Sequence, residues 1–404
     1  MYGRVDGTLT NMNGNAPEFL IKCLPMRDYR KDFASFEGNI WLNAAGEGPL
    51  PLVAAEALKD AVRFKCQPAL ADRSRFSSVP ADLKRSLGRL IGVHDKDVIL
   101  GNSASYGLHL LANGIPWQVR DEILVMQNDF PTNILPWLGL EQKGVKVIQI
   151  PPQEKVLSPQ EVGKTITPLT RLLCVSHVHS FTGITLEIEK MAEICRKKKI
   201  IFVVNISQSV GAMPVNVAAL GADAIVAAGY KWLCGPYGTG FCWMKPELRE
   251  RLQLNQAYWI AFLSQEELKN EGPLCWKEVT SARKFDVFAT ANYFNFVPFK
   301  TCVDYWLDIG LGTVRTHNQK LVDKLIEGLD PDQYVLISPR EGRLRSDLVV
   351  ISHREKSRNN DIFQQLSRQG ITTALWKGNL RVSPHLYNTG EEIDVLLESL
   401  RKAQ

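Results

Sequence analysis

A single lysine follows a buried apolar run near the middle of the sequence. The run is ADAIVAAG (222–229), and Lys231 comes two residues after it. A short, nearly uncharged run of this kind is typical of a strand buried on both faces, where a lysine loses solvation and its neutral amine is favoured. The neutral amine is the nucleophile that forms imines. The glycine-rich turn GPYGTG (235–240) lets the backbone pass close to a bulky group, so these residues predict imine chemistry at Lys231.

Small polar residues between a strand and a helix predict an anion site. In GNSASYG (101–107), Ser103 and Ser105 stand between the apolar run DVIL and an apolar helix. The first N–H groups of a helix have no partner within it, and together with serine hydroxyls they bind phosphate. An ordinary serine N-cap is the alternative, but the presence of Lys231 favours phosphate.

Two further segments carry polar side chains that suit catalysis. In IIFVVNIS (200–207), strand alternation places Asn205 and Ser207 on one face, with Gln208 just beyond the strand. The ordinary pKa of histidine lies near neutral pH, so His179 is a candidate general acid or base, whereas His177 is interpreted as structural.

Strands and helices alternate from about 52 to 295 and would position these residues. The candidate strands are DVILG, EILVMQ, KVIQI, RLLCVSHV, IIFVVNIS, ADAIVAAG and GTGFCWMK. Helices fit at 79–91, 105–114, 134–143, 158–166 and 187–199. The alternation predicts an α/β fold with a mainly parallel sheet. In such sheets ligands bind at the carboxyl ends of the strands, and each candidate above falls just after one.

The two ends of the chain have a different pattern. Residues 1–38 are polar, with a short helix or an extended arm at 27–36, and predict an N-terminal arm. After one long helical stretch at 297–329, short strands and helices predict a small α+β domain. We therefore expect an arm at 1–38, a large domain at 39–295 and a small domain at 296–404 that packs with the arm.

The composition argues against several classes of protein. A formal charge of +5 over 404 residues, with no basic run interleaved with aromatic residues, argues against nucleic-acid binding. There is no apolar signal region and no run of 18 apolar residues, so we expect no membrane span. The eight cysteines show no C-x-x-C pair or metal-ligand spacing, which predicts reduced thiols, no metal site and a cytoplasmic protein.

The stretch 201–241 resembles the Schiff-base segment of the class V aminotransferase family, fold-type-I enzymes that depend on pyridoxal 5′-phosphate (PLP). The matching residues are Asn205, Gln208, Gly211, Pro214, Lys231, Gly235, Pro236, Gly238 and Gly240. The resemblance implies a large domain with a mostly parallel seven-stranded sheet and a small C-terminal α+β domain. It also implies PLP as the cofactor, a Schiff base at Lys231 and a homodimer with a shared active site.

The same resemblance implies a set of cofactor contacts. The matching positions are Ser103, Ala104, Ser105, Phe130, Ser180, Asn205, Ser207, Gln208, Tyr230, Lys231 and Thr290. The first three and Tyr230 would hold the phosphate, and Thr290 would reach the phosphate of the other subunit. Phe130 would stack on the ring, as in kynureninase-like members. Either His179 or Ser180 would contact the ring hydroxyl.

The substrate side is implied by a second match, LRVSPHLYNTGEEID (380–394). Arg381 would bind the substrate α-carboxylate in a bidentate pair, to which the planar guanidinium is suited. The other substrate-side positions match Asn43, Ala44, Ala45, Tyr258 and Trp259. A plain turn is the alternative for the first three of these, and a core residue is the alternative for Trp259.

Two departures from the family pattern bear on the reaction. Asn205 replaces the aspartate that pairs with the protonated ring nitrogen, and a neutral amide makes a weaker electron sink. Either the natural chemistry needs less carbanion stabilisation or Asn205 is an engineered replacement. Sulfur-transferring members carry a cysteine just before the arginine, whereas GITTALWKGNLRVS (370–383) has none, which argues against a cysteine desulfurase.

Together these features predict a PLP enzyme that acts on an amino acid as an aminotransferase or as a lyase or epimerase. It would cleave a bond at Cα or eliminate at Cβ. The alternative is a catalytically degenerate PLP-fold binding or scaffold protein, which Asn205 suggests and which Lys231 and Arg381 oppose. A nucleotide-binding Rossmann enzyme is disfavoured because G-x-G-x-x-G is missing after the first strand.

Overall fold

A seven-stranded sheet lies at the centre of the larger part of the protein. The computed structural model describes residues 27–70, 74–264, 266–269, 271–279, 281–289 and 292–403. The strands are β1 (Ile40–Trp41), β2 (Val98–Gly101), β3 (Glu122–Met126), β4 (Lys146–Ile150), β5 (Thr170–Ser176), β6 (Ile201–Asn205), β7 (Ala224–Ala228), β8 (Gly240–Met244), β9 (Tyr334–Leu336), β10 (Val349–His353), β11 (Ile371–Thr372), β12 (Ala374–Trp376) and β13 (Asn379–Val382).

The large sheet has the order β2-β8-β7-β6-β5-β3-β4. Strand β8 is antiparallel to both of its neighbours, and the other pairs are parallel. This confirms the predicted α/β fold and its mostly parallel seven-stranded sheet. Burial on both faces explains the continuous apolar runs: Phe202 and Val204 of β6 face one core, whereas Ile201 and Val203 face another.

Helices cover both faces of this sheet, and further helices lie in the C-terminal part of the chain. They are α1 (Leu52–Cys66), α2 (Arg75–Ile91), α3 (Ala104–Gly114), α4 (Leu135–Leu138), α5 (Pro159–Thr165), α6 (Ile188–Lys198), α7 (Val217–Leu220), α8 (Pro246–Arg249), α9 (Trp259–Phe262), α10 (Tyr293–Ile309), α11 (Leu311–Gly328), α12 (Asn359–Arg368) and α13 (Gly390–Lys402). No helix in the described part of the chain is long and apolar enough to span a membrane.

Two predicted helices differ from the structure. The helix expected at 134–143 is the four-residue α4 followed by a separate 3-10 turn, Glu141–Lys143, because Gly139 between them has a low helix propensity. The single stretch expected at 297–329 is two helices, α10 and α11. Gly310 joins them with φ +83°, a left-handed conformation that ends α10.

A second, four-stranded sheet with the order β12-β13-β10-β9 lies in the C-terminal part. It shares a core with α11, α12 and α13. The short strand β1 pairs in parallel with β11, which ties the segment after residue 38 to this part of the chain. The buried face of α10, in contrast, belongs to a core of the large sheet. The predicted domain boundary at 295/296 stays a prediction.

A tight turn after β6 supports the segment around Lys231. Gly211 has φ +95°, and a Cβ atom there would lie 2.6 Å from the backbone of Trp232. Side chains other than hydrogen are strained in this conformation, and the contact with main-chain atoms leaves little room for adjustment.

We expect Gly211→Ala to lower the free energy of unfolding by about 2 kcal/mol or more, since strain and overpacking act together. Denaturant unfolding of the apoprotein measures the change. Gly312→Ala is the matched control, because a Cβ atom at the exposed Gly312 meets nothing within 4 Å. Equal stability of the two variants would contradict this account.

Candidate active site

Lys231 lies at the carboxyl end of β7, and it is buried with 7% of its surface exposed. Burial, with the positive charge of Arg381 as a further cause, lowers the pKa of Lys231 to about 7. A substantial fraction of the amine is therefore neutral at physiological pH, as the sequence predicts. The Lys231 Nζ atom lies 4.9 Å from the centroid of the Phe130 ring.

A cavity next to Lys231 collects residues from the carboxyl ends of five strands, β2, β3, β5, β6 and β7. Its lining consists of Ser103, Ala104, Ser105, Phe130, Thr132, Ser176, Ser180, Asn205, Ser207, Gln208, Ala228, Tyr230 and Lys231. All of the cofactor-binding positions predicted within the described residues are in this set. The carboxyl ends of parallel strands meet at one edge of a sheet, which explains why segments so far apart in sequence converge here.

The N-terminus of α3 forms one end of the cavity. Ser103 is the N-cap of α3, and its Oγ atom accepts a hydrogen bond from the Tyr106 N–H at 3.3 Å. The Ser105 and Thr132 hydroxyls are hydrogen-bonded to each other. The ordinary capping role is therefore present. The positive end of the helix and the nearby hydroxyls also make this end of the cavity suited to a phosphate.

Gln208 connects three segments around the cavity. Its Nε2 atom donates to the Ala45 carbonyl at 3.0 Å and to the Ser180 Oγ atom at 3.4 Å, while its Oε1 atom accepts from the Trp232 Nε1 atom at 2.8 Å. Ser207 Oγ accepts from the Ala228 N–H at 2.9 Å. Both side chains are held by main-chain partners, so the polar surface that they present has a fixed geometry.

Arg381 on β13 is a buried cation with 3% of its surface exposed. It donates to the Ser180 carbonyl at 3.4 Å and to the Asn43 Oδ1 atom at 3.3 Å, and its buried Nε atom has no partner among the described residues. Within the part of the chain that the structure describes, none of these partners is a carboxylate. Burial lowers the pKa of Arg381 to about 10. An unpaired buried guanidinium of this kind favours binding of a carboxylate.

Aromatic rings form the wall between Lys231 and Arg381. The Phe130, Phe181 and Trp376 ring centroids lie 5.7 to 6.4 Å apart, and the Arg381 Cζ atom lies 5.8 Å from the Trp376 ring. Trp376 precedes a two-residue turn, Lys377–Gly378, in which both residues have positive φ. Such turns match the twist of hairpin strands, so the turn fixes Trp376 close to the arginine.

Several other predicted residues are not part of the cavity lining. His179 is not in the cavity lining: its Nδ1 atom bonds to Thr182 Oγ1 at 2.9 Å and its Nε2 atom to the Asn128 carbonyl at 3.2 Å. Burial lowers its pKa. Tyr258 and Trp259 pack against each other outside the lining, and Trp259 is 51% exposed. Thr290 lies outside the described residues.

Sequence reasoning missed several residues that the structure brings to the site. Thr132, Ser176 and Ala228 line the cavity, and Trp376 stands beside Arg381. The polar residues that follow Phe130 in NDFPTN were a signal for Thr132. Trp376 gave no such signal, because its position depends on the hairpin. Among the described residues, no group of three or more His, Cys, Asp or Glu could hold a metal ion.

The cavity fits the cofactor that the resemblance implies. It offers an amine that is partly neutral at physiological pH, a helix N-terminus for a phosphate, a flat aromatic face and polar groups at the end of β6. These features lie on one continuous surface, and the unpaired Arg381 stands beside it.

Comparisons with known proteins agree with this geometry. The sequence model of the family described as aminotransferase class V matches residues 72–396. A probable cysteine desulfurase of Methanothermobacter thermautotrophicus is 24% identical over 93% of this chain and 97% of its own length. The isopenicillin N epimerase of Streptomyces clavuligerus is 26% identical over 89% of this chain and 93% of its own length.

Solved structures show the same fold. The cystine C–S lyase C-DES in complex with cysteine persulfide superposes with a TM-score of 0.80 at 19% identity, covering 90% of this chain and 97% of that chain. A cysteine desulfurase of Thermococcus onnurineus gives a TM-score of 0.78 at 22% identity, covering 92% of this chain and 96% of that chain. Because the family model matches most of the chain, this protein belongs to the class V aminotransferase family and is a PLP-dependent enzyme of the transferase or lyase type.

Proposed function

We propose that the protein binds PLP covalently through Lys231 and acts on an α-amino acid, cleaving a bond at Cα or eliminating at Cβ. One observation carries this proposal. Among the described residues, a buried amine and a buried guanidinium without a carboxylate partner stand at the same site, close enough for the charge of Arg381 to affect the pKa of Lys231. An α-amino acid supplies the matching carboxylate, and PLP supplies the matching aldehyde.

Each part of the cavity has a role in this proposal. Ser103, Ala104, Ser105 and Tyr230 would hold the phosphate, with the N-terminus of α3 supplying positive potential. Phe130 would cover one face of the ring, and Ser207 would lie against the other. Ser180 and Gln208 would face the ring hydroxyl, and Asn205 would face the ring nitrogen. When bound, PLP stabilises negative charge at the substrate Cα.

The substrate would be held at its carboxylate and at its Cα. Arg381 and Asn43 would bind the carboxylate, and Ala45 would bound the site beside them. Lys231, once released, is an amine of nearly neutral pKa that can take a proton from the substrate Cα and return one. Trp376 would form the wall that the substrate side chain meets. The earlier roles for His179, Tyr258 and Trp259 stay predictions.

We propose a lyase, epimerase or aminotransferase reaction rather than cysteine desulfuration. Trp376 and the turn Lys377–Gly378 precede Arg381, and no cysteine is among the described residues that line the cavity. Phe130 beside Lys231 supports the same assignment.

We propose further that the protein is a cytoplasmic homodimer. An apolar surface that includes Trp259, Leu274, Trp276 and Phe288, each more than half exposed, supports a subunit interface. Thr290 follows this surface in sequence, and we propose that it reaches the phosphate of the other subunit. All described cysteines are free, in keeping with a reducing compartment.

The first prediction from this proposed function concerns Lys231. PLP added to the apoprotein should give a visible absorption band, and mass spectrometry after borohydride reduction should place the adduct on Lys231. The rate of attachment should rise through pH 7 and level off by about pH 8, because the neutral amine reacts and the pKa of Lys231 is about 7.

Lys231→Ala should lose the reducible adduct, whereas the control Lys245→Ala should keep it, because Lys245 is paired with Asp223 away from the cavity. An adduct on another lysine, or a rate that keeps rising to pH 10 as for an ordinary lysine, would disprove the assignment.

The second prediction concerns Arg381. Arg381→Gln should weaken binding of amino acids by about 2–5 kcal/mol, because the substrate carboxylate loses a buried charged partner. Arg381→Lys should recover only part of this, since an ammonium cannot form the bidentate pair. Titrations that follow the visible band, with free amino acids and with their amides, measure both effects. Amides that bind the wild type as tightly as free acids would refute the role of Arg381.

The third prediction concerns the dimer. Sedimentation at micromolar concentration should give a dimer, and the double substitution Trp276→Asp with Phe288→Asp should shift it to monomer by burying charge in the interface. Val119→Asp is the control, because Val119 is an exposed apolar residue outside this surface. A wild-type monomer that still retains PLP would exclude the shared active site.

A further inference from the structure

Behind Asn205 lies a chain of buried polar groups that begins at the Asp129 carboxylate. Asp129 is 3% exposed, and each of its oxygens accepts a backbone hydrogen bond: Oδ1 from the Phe130 N–H at 2.7 Å and Oδ2 from the Ser176 N–H at 2.9 Å. The Ser176 hydroxyl also donates to Oδ1 at 2.7 Å. Because a backbone N–H points at each carboxylate oxygen, residue 129 must accept a hydrogen bond at both atoms. An asparagine at position 129 would place its amide N–H groups against one of these backbone N–H groups.

Asp129 determines the orientation of the next group, Asn133, which is fully buried. The Asn133 Nδ2 atom donates to Asp129 Oδ2 at 3.0 Å and to Ser176 Oγ at 2.8 Å. An amide nitrogen has two hydrogens, so both are used. The Asn133 Oδ1 atom therefore faces the other way, towards Asn205.

Asn133 in turn determines the orientation of Asn205. The Asn205 Nδ2 atom donates to Asn133 Oδ1 at 2.8 Å, and its Oδ1 atom accepts from the Ser207 N–H at 3.0 Å. Two partners on opposite sides fix the amide. One hydrogen on Nδ2 has no partner among the described residues, and Asn205 lines the cavity. Asn205 thus has an Nδ2 hydrogen available as a donor, while its Oδ1 atom accepts from the Ser207 N–H.

We infer that Asp129 and Asn133 are positioning residues that hold Asn205 as a hydrogen-bond donor, so that the cofactor ring nitrogen is bound in its unprotonated form. The inference rests on the proposed function for the presence of the cofactor. A donor pairs with a nitrogen lone pair and not with an N–H. An aspartate at position 205 would place a carboxylate oxygen next to Asn133 Oδ1. Both atoms are hydrogen-bond acceptors and cannot bond to each other, which accounts for an amide at this position.

An unprotonated ring nitrogen limits the types of reaction that the enzyme should favour. An unprotonated ring withdraws less electron density from the substrate than a protonated ring, so the enzyme should favour steps that need only brief carbanion stabilisation, such as elimination at Cβ or proton transfer at Cα. Transamination needs a longer-lived carbanion and should be suppressed.

The first half of the test uses the apoprotein and needs no cofactor. Asn205→Asp should lower the denaturant midpoint, and it should lower it less when Asn133→Leu has already removed the opposing oxygen. The control cycle combines Asn318→Asp with Asn133→Leu, since Asn318 is a buried asparagine that donates to Asp347 at 3.1 Å away from the cavity. That cycle should be additive. Additive effects of the substitutions at 205 and 133 would overturn the positioning role.

The second half uses the protein loaded with PLP that carries ¹⁵N in its ring. At pH 7.5 the wild type should show the ¹⁵N chemical shift of an unprotonated pyridine, and Asn205→Asp should move the signal to the protonated position. A protonated signal in the wild type would overturn the inference. Failure of PLP to attach at Lys231 would instead refute the proposed function, and the apoprotein cycle would still report on the polar chain.

Discussion

Two cationic side chains buried beside one cavity impose the constraint on which this site depends. Lys231 and Arg381 are 7% and 3% exposed, and neither has a carboxylate partner in the described part of the chain. A charge that leaves water without a partner costs several kcal/mol, so the fold favours a neutral amine and an anion beside the guanidinium. The N-terminus of α3 adds positive potential at one end of the cavity. The positive charge of the site is therefore balanced only when anionic ligands are bound. The proposed phosphate and carboxylate ligands would meet this need.

The position of Arg381 relative to Lys231 depends on contacts between distant parts of the chain. Lys231 follows a strand of the large sheet, whereas Arg381 belongs to the four-stranded sheet. The segment around Asn43 bridges them, because the Ala44 N–H donates to the Ser383 carbonyl at 3.1 Å and Gln208 donates to the Ala45 carbonyl. These main-chain bonds leave the Asn43 amide oxygen facing the guanidinium. The proposed carboxylate pocket is therefore a product of tertiary packing, while most of the proposed cofactor cavity is built within the large sheet.

The polarity of the cavity at the end of β6 is set by backbone geometry several residues away. Two N–H groups require a hydrogen-bond acceptor at Asp129. The Asp129 carboxylate orients the Asn133 amide, and the Asn133 amide orients the Asn205 amide. The buried neighbours of Asn205 therefore accommodate its amide with two hydrogen bonds, and Asn205 need not be seen as a damaged aspartate. Buried polar groups tolerate little mismatch, because each unpaired donor or acceptor costs about 1–3 kcal/mol. These hydrogen bonds therefore explain the presence of Asn205 without assuming that the protein has lost catalysis.

The sequence by itself determined the sheet, the lysine and most of the cofactor cavity, because apolar runs mark buried parallel strands and their carboxyl ends converge at one edge. It did not determine the break at Gly310, the hydrogen-bond partners of His179 or the place of Trp376. Each of these depends on contacts made after folding: a left-handed glycine between two helices, a histidine with both nitrogens bonded, and a hairpin that sets an indole beside Arg381. The orientation of the Asn205 amide likewise needed the tertiary structure. A sequence names the side chain at a position, but only its three-dimensional neighbours decide whether it donates or accepts a hydrogen bond.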